Sequence, residues 1–282
     1  MSGEPLKFVG ASASPQNADI IIAGIPYDET STFRKGSKTG PVSIREFSDS
    51  IETYSPEQGI DIADMKLCDA GDMVFAPGGK KEVLVEIGEF ASETDKKGKK
   101  AIYFGGEHLV SVPLVKKYAE KHEGLKVIYF DAHADMRDDY DGEKYSHATA
   151  ARRISEIVGK ENIFLFGIRS FEKNEAAFIR DNRIFMDPDF SEFLNLADTI
   201  KDRPVYISID IDVFDPSCVP GVGNPEPGGI TYNDFARLIP GFETLNNIVA
   251  ADIVEVAPAY DPPGISSVLA AKVAREIIAV MG

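Results

Sequence analysis

The chain has 282 residues, 43% of them hydrophobic and 10% aromatic, enough apolar material for a large buried core. Its 46 acidic against 30 basic residues give a formal net charge of −16, which argues against nucleic acid as a partner, since phosphates need a basic footprint. No N-terminal stretch has the layout of a secretory signal, the apolar run 20–25 is too short to span a bilayer, and Cys68 and Cys218 form no C-x-x-C motif. The expectation is a soluble cytoplasmic protein with no membrane partner, its cysteines serving as small buried hydrophobes.

Short apolar runs alternate with amphipathic segments along the chain. A strand is predicted over 19–25, followed by a helix that Pro41 opens and that carries Val42, Ile44 and Arg45. Next come a strand at 66–69 and a helix over 80–97, with Val83, Ile87 and Phe90 on one face and Gly98 as its cap. Strands at 100–104 and 126–130 flank a polar helical stretch, 116–123, whose His122 reads as solvated. A helix over 148–158 precedes strands at 162–167, 183–186, 205–211 and 248–256. Thr231 with Asp234 has the form of a capping box, and a helix over 266–281 closes the chain.

Most of these strands are nearly continuous in Ile, Val, Leu, Phe and Tyr, as expected of strands covered on both faces. No repeat, low-complexity tract or linker divides the chain, so residues 1–282 are expected to form a single domain. The fold class is α/β, a three-layer α/β/α arrangement around a central, mostly parallel eight-stranded sheet. Ligands of such sheets sit beyond the carboxyl ends of the strands.

Acids and histidines gather at those ends. The run 102–104 leads into Gly105-Gly106-Glu107-His108, and 127–130 into Asp131-Ala132-His133-Ala134-Asp135. The strand at 205–209 leads into Asp210-Ile211-Asp212 and then Asp215-Pro216, and Asp252-Ile253-Val254-Glu255 precedes Pro258. Residues two apart in extended chain face the same way, so Asp131, His133 and Asp135 can project together, as can Asp210 and Asp212. Carboxylates at the end of an apolar strand are costly unless something pairs them. A single Asp there is most often a cap or turn residue, and a lone His most often packing. Three of the four histidines of the chain falling at such places is harder to explain that way. Four carboxylates and two neutral imidazoles could hold two divalent ions, and oxygen-rich ligands without thiolate favour manganese over structural zinc. Two bridged ions can activate water at neutral pH.

In this order the segments resemble the arginase/agmatinase (ureohydrolase) family. The metal signatures of that family are a Gly-Gly-Asp-His segment, Asp-Ala-His-x-Asp and Ser-x-Asp-x-Asp-x-x-Asp-Pro, which read here as 105–108, 131–135 and 208–216. Gly40-Pro41, Ile44-Arg45, Tyr145-Ser146-His147, Gly167-Ile168-Arg169, Pro225-Glu226-Pro227-Gly228-Gly229 and Asp252–Glu255 extend the similarity over nearly the whole chain. The resemblance implies an arginase-like fold and two manganese ions per subunit. One would be held by His108, Asp131, Asp135 and Asp210, the other by Asp131, His133, Asp210 and Asp212, with Asp131 and Asp210 bridging. It implies that His147 orients substrate or shuttles protons, that Glu255 binds the guanidinium, that Asp135 hands a proton to the leaving amine, and that the enzyme works as a homotrimer or hexamer. Two positions depart from the pattern: Glu107 replaces aspartate, where a longer carboxylate could still orient His108, and Asn224 stands in place of threonine.

Similarity is greatest to agmatinases, whose reaction yields putrescine and urea in polyamine biosynthesis. The arginase branch carries asparagine where this chain has Arg137, which Asp138, Asp139 and Asp141 follow. Acids near the mouth suit a substrate ending in an amine. Arg137 either binds a carboxylate, as guanidinobutyrate would require, or pairs with acidic neighbours. Aminopropylagmatine, arginine and guanidinobutyrate are the alternative substrates. An amide deacetylase on a related fold would need paired histidines, and a two-metal phosphoesterase would need basic loops; neither feature is present. An inactive metal-binding protein would have no use for Glu255 and His147.

Overall fold

The computed structural model describes residues 6–96 and 98–282. Eight strands form one sheet: β1 Ile20–Ile25, β2 Leu67–Asp72, β3 Lys100–Gly105, β4 Lys126–Phe130, β5 Ile163–Phe166, β6 Phe185–Asp187, β7 Val205–Asp210 and β8 Ile248–Val254. They run in the order β2-β1-β3-β8-β7-β4-β5-β6, and every neighbouring pair is parallel. Parallel pairing demands crossovers, which the helices supply. These are α1 Gly40–Ser48, α2 Lys80–Lys96, α3 Ser111–Lys121, α4 Ala150–Val158, α5 Lys173–Asp181, α6 Phe193–Ile200, α7 Tyr232–Ala236, α8 Ile239–Thr244 and α9 Ile265–Met281. The predicted last residue of the second helix, Lys97, lies outside the described residues.

Alternation along each strand divides the core into two layers. Ile102 and Phe104 of β3, Ile128 and Phe130 of β4, and Ile207 and Ile209 of β7 pack with Ile44 of α1 and with α6, α8 and α9. Ala101 and Tyr103, Val127 and Tyr129, and Tyr206 pack on the opposite face with α2, α3 and α4. Both faces are therefore covered, which is why the strands read as continuous apolar runs. Among the described residues no helix is long and apolar enough to cross a membrane.

Several boundaries differ from the sequence-based expectation, and three of them have a clear local reason. β2 runs on to Asp72 because the buried Arg45 guanidinium meets both Asp69, at 2.7 Å, and Asp72. β7 stops at Asp210, whose Oδ1 accepts the Asp212 amide at 2.8 Å and starts a 3-10 turn, Ile211–Val213. β8 stops at Val254 because Glu255 adopts a left-handed φ of 66°. His122 is not simply solvated: its Nε2 lies 3.1 Å from Asp95 and its ring stacks on Tyr118.

Candidate metal centre and substrate pocket

The four strands that end in acids and histidines are β3, β8, β7 and β4, which lie side by side at the middle of the sheet. Segments more than a hundred residues apart in sequence therefore meet at one edge. His108 Nδ1 lies 3.0 Å from Asp131 Oδ2, 3.2 Å from Asp210 Oδ2 and 3.6 Å from Asp135 Oδ2. His133 Nδ1 lies 2.9 Å from Asp212 Oδ2 and 3.5 Å from Asp131 Oδ1. Two groups of mutually close donor atoms result, His108/Asp131/Asp135 and Asp131/His133/Asp212, with Asp131 common to both. Asp210 stands beside the first group.

These residues fit divalent metal. All four aspartates are buried, and Asp131 Oδ2 accepts no hydrogen bond. With protein charges alone the acids resist ionisation: burial and then Asp131 push Asp135 well above the usual carboxylate range, and burial, Asp212 and Asp131 do the same to Asp210. Burial also opposes the charge on Asp131, but His108 and His133 outweigh it and hold that carboxyl low. Against the cost of burial, Asp131 and Asp210 raise His108, and Asp212 and Asp131 raise His133. Such a cluster takes up protons for want of countercharge, and divalent cations displace those protons.

The cluster is backed by a hydrogen-bonded shell. His108 Nε2 is 3.0 Å from Ser208 Oγ, which donates to Asp252 Oδ1 at 2.7 Å, while Tyr206 donates to Asp252 Oδ2 at 2.7 Å. With the Ser208 hydrogen committed to Asp252, Nε2 of His108 carries a proton, and Nδ1, held among the acids, is the nitrogen left to give up its proton and ligate an ion. Tyr129 stacks on the His108 ring at 4.4 Å and donates to Asp135 Oδ2 at 2.8 Å. Among the described residues Arg169 bonds only to main-chain carbonyls, including those of Asp212 (2.8 Å) and Glu226 (2.7 Å), and so ties the 224–229 loop to the acidic turn.

Glu255 and His147 complete the floor. The Glu255 carboxylate accepts the His108 amide at 2.8 Å, and burial followed by repulsion from Glu107 pushes its pKa up to about 8. His147 opens the 3-10 turn His147–Thr149, which Ser146 caps, and burial brings its pKa down to about 4. Glu107 does not touch the His108 ring. Its carboxylate turns away to Thr30 and Ser31, which corrects the expectation that it orients His108.

A cavity of about 490 Å³ opens above this floor, with Thr32, Phe33, Tyr140, Phe171 and Asn224 among its walls. The acids of the mouth are not those of the 138–141 run, since Asp138 turns to Arg152 and Arg153. They are Glu172, Glu175 and Glu226. Arg137 also faces the cavity, but its guanidinium pairs with Glu172 at 2.7 Å and lies over the Tyr140 ring. Glu175 is committed to the amides of Met136 and Glu172. Among the described residues, the Glu226 carboxylate has no such partner.

The arginase-family model matches residues 18–280. The chain belongs to the arginase family. Among curated relatives, agmatinase from Bacillus anthracis is 38% identical over 274 residues, covering 96% of this chain and 94% of that protein. N(1)-aminopropylagmatine ureohydrolase from Thermococcus kodakarensis is 36% identical, covering 90% and 88%. The crystal structure of agmatine ureohydrolase of Thermoplasma volcanium superimposes with a TM-score of 0.89 at 34% identity, covering 99% of this chain and 95% of that one. The eight-stranded parallel sheet is thus an arginase-family sheet. Thr30, Tyr129 and Phe171 were not legible as site residues. None stands in a metal signature, and only the polar run Thr30-Ser31-Thr32 hinted at a functional loop.

Proposed function

We propose that this arginase-family hydrolase is a binuclear manganese agmatinase, releasing urea and putrescine from agmatine. The observation that carries the reading is the charge of the cavity. Arg137, the cation on its wall, is already paired with Glu172, whereas the Glu226 carboxylate is free to meet an ammonium. A substrate ending in a carboxylate finds no unpaired cation on these walls among the described residues, so arginine and guanidinobutyrate are disfavoured. The names of the Bacillus and Thermoplasma relatives support the same substrate.

His108, Asp131, Asp135, Asp210, His133 and Asp212 would hold two divalent ions, with manganese suited to their oxygen and imidazole donors. Bound there, the ions supply polarisation of water at neutral pH and stabilisation of negative charge. Glu255 accepts hydrogen bonds from the guanidinium nitrogens and turns its central carbon toward the cluster. Water oxygen adds to that carbon, and the bond from carbon to the nitrogen of the alkyl chain breaks. The departing nitrogen needs a proton, which in this reading Asp135 delivers and His147 replaces from solvent. The same reading carries a cytoplasmic enzyme of polyamine biosynthesis, a single domain over the chain, and a homotrimer or hexamer, which light scattering would test.

The volume of the cavity favours one second reading, a longer polyamine tail as in aminopropylagmatine. The deciding experiment is urea release by manganese-loaded protein offered agmatine, aminopropylagmatine, arginine and guanidinobutyrate. Preference for agmatine supports the proposal, preference for aminopropylagmatine selects the second reading, and preference for a carboxylate-ended substrate overturns the argument from Arg137 and Glu226.

A further inference from the structure

The turn after β3 organises more than His108. Gly106 packs so closely on the segment after β1 that a Cβ there would lie 2.0 Å from the Tyr27 carbonyl oxygen. The Glu107 amide donates to that same carbonyl at 2.8 Å. From this anchored turn the buried Glu107 side chain accepts four hydrogen bonds. Its Oε1 accepts the Thr30 hydroxyl at 2.7 Å, and its Oε2 accepts the amides of Thr30 (2.7 Å) and Ser31 (2.8 Å) and the Ser31 hydroxyl (3.1 Å). The only hydroxyl hydrogen of Thr30 is therefore committed, and its oxygen is left as an acceptor. That oxygen accepts the His147 amide at 2.9 Å and stands 3.5 Å from His147 Nδ1, with Ser146 Oγ 3.2 Å from the same nitrogen.

We propose that Thr30, held by Glu107, is a positioning residue that sets the seat and tautomer of His147. Ser146 Oγ can either donate to or accept from Nδ1, so the threonine, which offers only lone pairs, is the partner that distinguishes the tautomers; it favours a proton on Nδ1 and leaves Nε2 as the nitrogen that exchanges protons with the cavity. The Glu107 carboxylate binds two consecutive loop residues, a role other than support of the metal-side histidine. The proposal rests on the ureohydrolase reading for its catalytic consequence, but not for the tautomer.

The test uses full-length, manganese-loaded wild type with Thr30→Val, which keeps the shape and removes the hydroxyl, and Thr30→Ser, which restores it. Three readouts are taken: kcat and KM for urea release from agmatine, metal content per chain, and the ¹⁵N chemical shifts of His147, recorded with diamagnetic magnesium in place of paramagnetic manganese and assigned against His147→Gln. Thr30→Val is expected to lower kcat about tenfold or more with KM within about twofold, the scale of weakened general acid–base catalysis. Its metal content stays unchanged, its His147 signals move away from the Nδ1–H tautomer, and Thr30→Ser recovers most of the rate. An unchanged His147 spectrum in Thr30→Val overturns the proposal. So does loss of bound metal, or equal damage in the serine variant. If wild type releases no urea, the ureohydrolase reading fails, and the His147 spectra still decide the assignment of Thr30.

Discussion

The floor and the mouth of the cavity are built by different means. The floor comes from the ends of four adjacent strands; its aspartates and His108 are buried, His133 and Glu255 partly so, and the shell of Ser208, Asp252, Tyr206 and Tyr129 holds His108 and Asp135. The mouth comes from loops around residues 32, 137, 171 and 224. There Phe33 and Phe171 remain exposed, and Arg137, paired with Glu172 and more distantly with Glu175, sets the charge. A largely buried, hydrogen-bonded constellation tolerates little change, whereas an exposed one can be altered without unfolding its support. The floor is thus suited to fix the reaction and the mouth to choose the substrate.

This contrast can be broken most forcefully at Asp131, which both donor groups share. Asp131→Asn is expected to lower bound metal below two ions per chain and to cut kcat by about 10³-fold or more, measured by elemental analysis and urea release. Glu255→Gln is expected to keep its metal and lose about 10²-fold in kcat/KM, since a neutral amide cannot replace the charge-assisted contact to the guanidinium. Loss of metal in that variant would show that Glu255 serves the cluster instead. Tyr129→Phe removes the donor to Asp135, and a loss of about tenfold in manganese affinity by calorimetry, with substrate preference unchanged, would sharpen the separation of floor from mouth. At the mouth, Glu226→Gln is expected to raise KM for agmatine about two- to fivefold with kcat unchanged, the scale of an exposed charge contact.

The smallest effect concerns the metal-stripped protein. Asp135, Asp210 and Glu255, raised by burial, and His108 and His133, raised by their acidic neighbours, hold protons in the folded chain to higher pH than in the unfolded one. Stability linked to them is present at lower pH and is lost as pH rises through the folded values, about 8 for Glu255. His147 acts in the opposite sense, but only between its folded value of about 4 and the ordinary 6.5. The melting temperature of stripped protein should therefore fall by roughly a few degrees between about pH 6.5 and 8.5, and added manganese should reverse the fall. A flat profile would mean that the cluster is not compressed by like charges.

Most of the floor is legible in the amino-acid sequence, because its signal is local. Apolar runs mark strands, acids two residues apart mark a shared direction, and their place at strand ends marks the ligand side of a parallel sheet. The mouth is not legible in the same way. The acidic run 138–141 suggests a charged rim, yet Asp138 turns to Arg152 and Arg153, while Glu172 and Glu226, from other loops, line the cavity. Likewise Glu107 is visible as a departure from pattern, but its partners in the 30–31 segment are not.

Sequence alone determined the alternation of strands and helices, the parallel sheet, and the residue types gathered at its carboxyl edge, since each follows from periodicity and short-range spacing. Only the tertiary structure decided which strands are neighbours, which carboxylates face the cavity, and that one threonine hydroxyl joins Glu107 to His147. Those are contacts between segments about 20 to 150 residues apart, and no local pattern encodes where a loop will turn once its ends are held by the sheet.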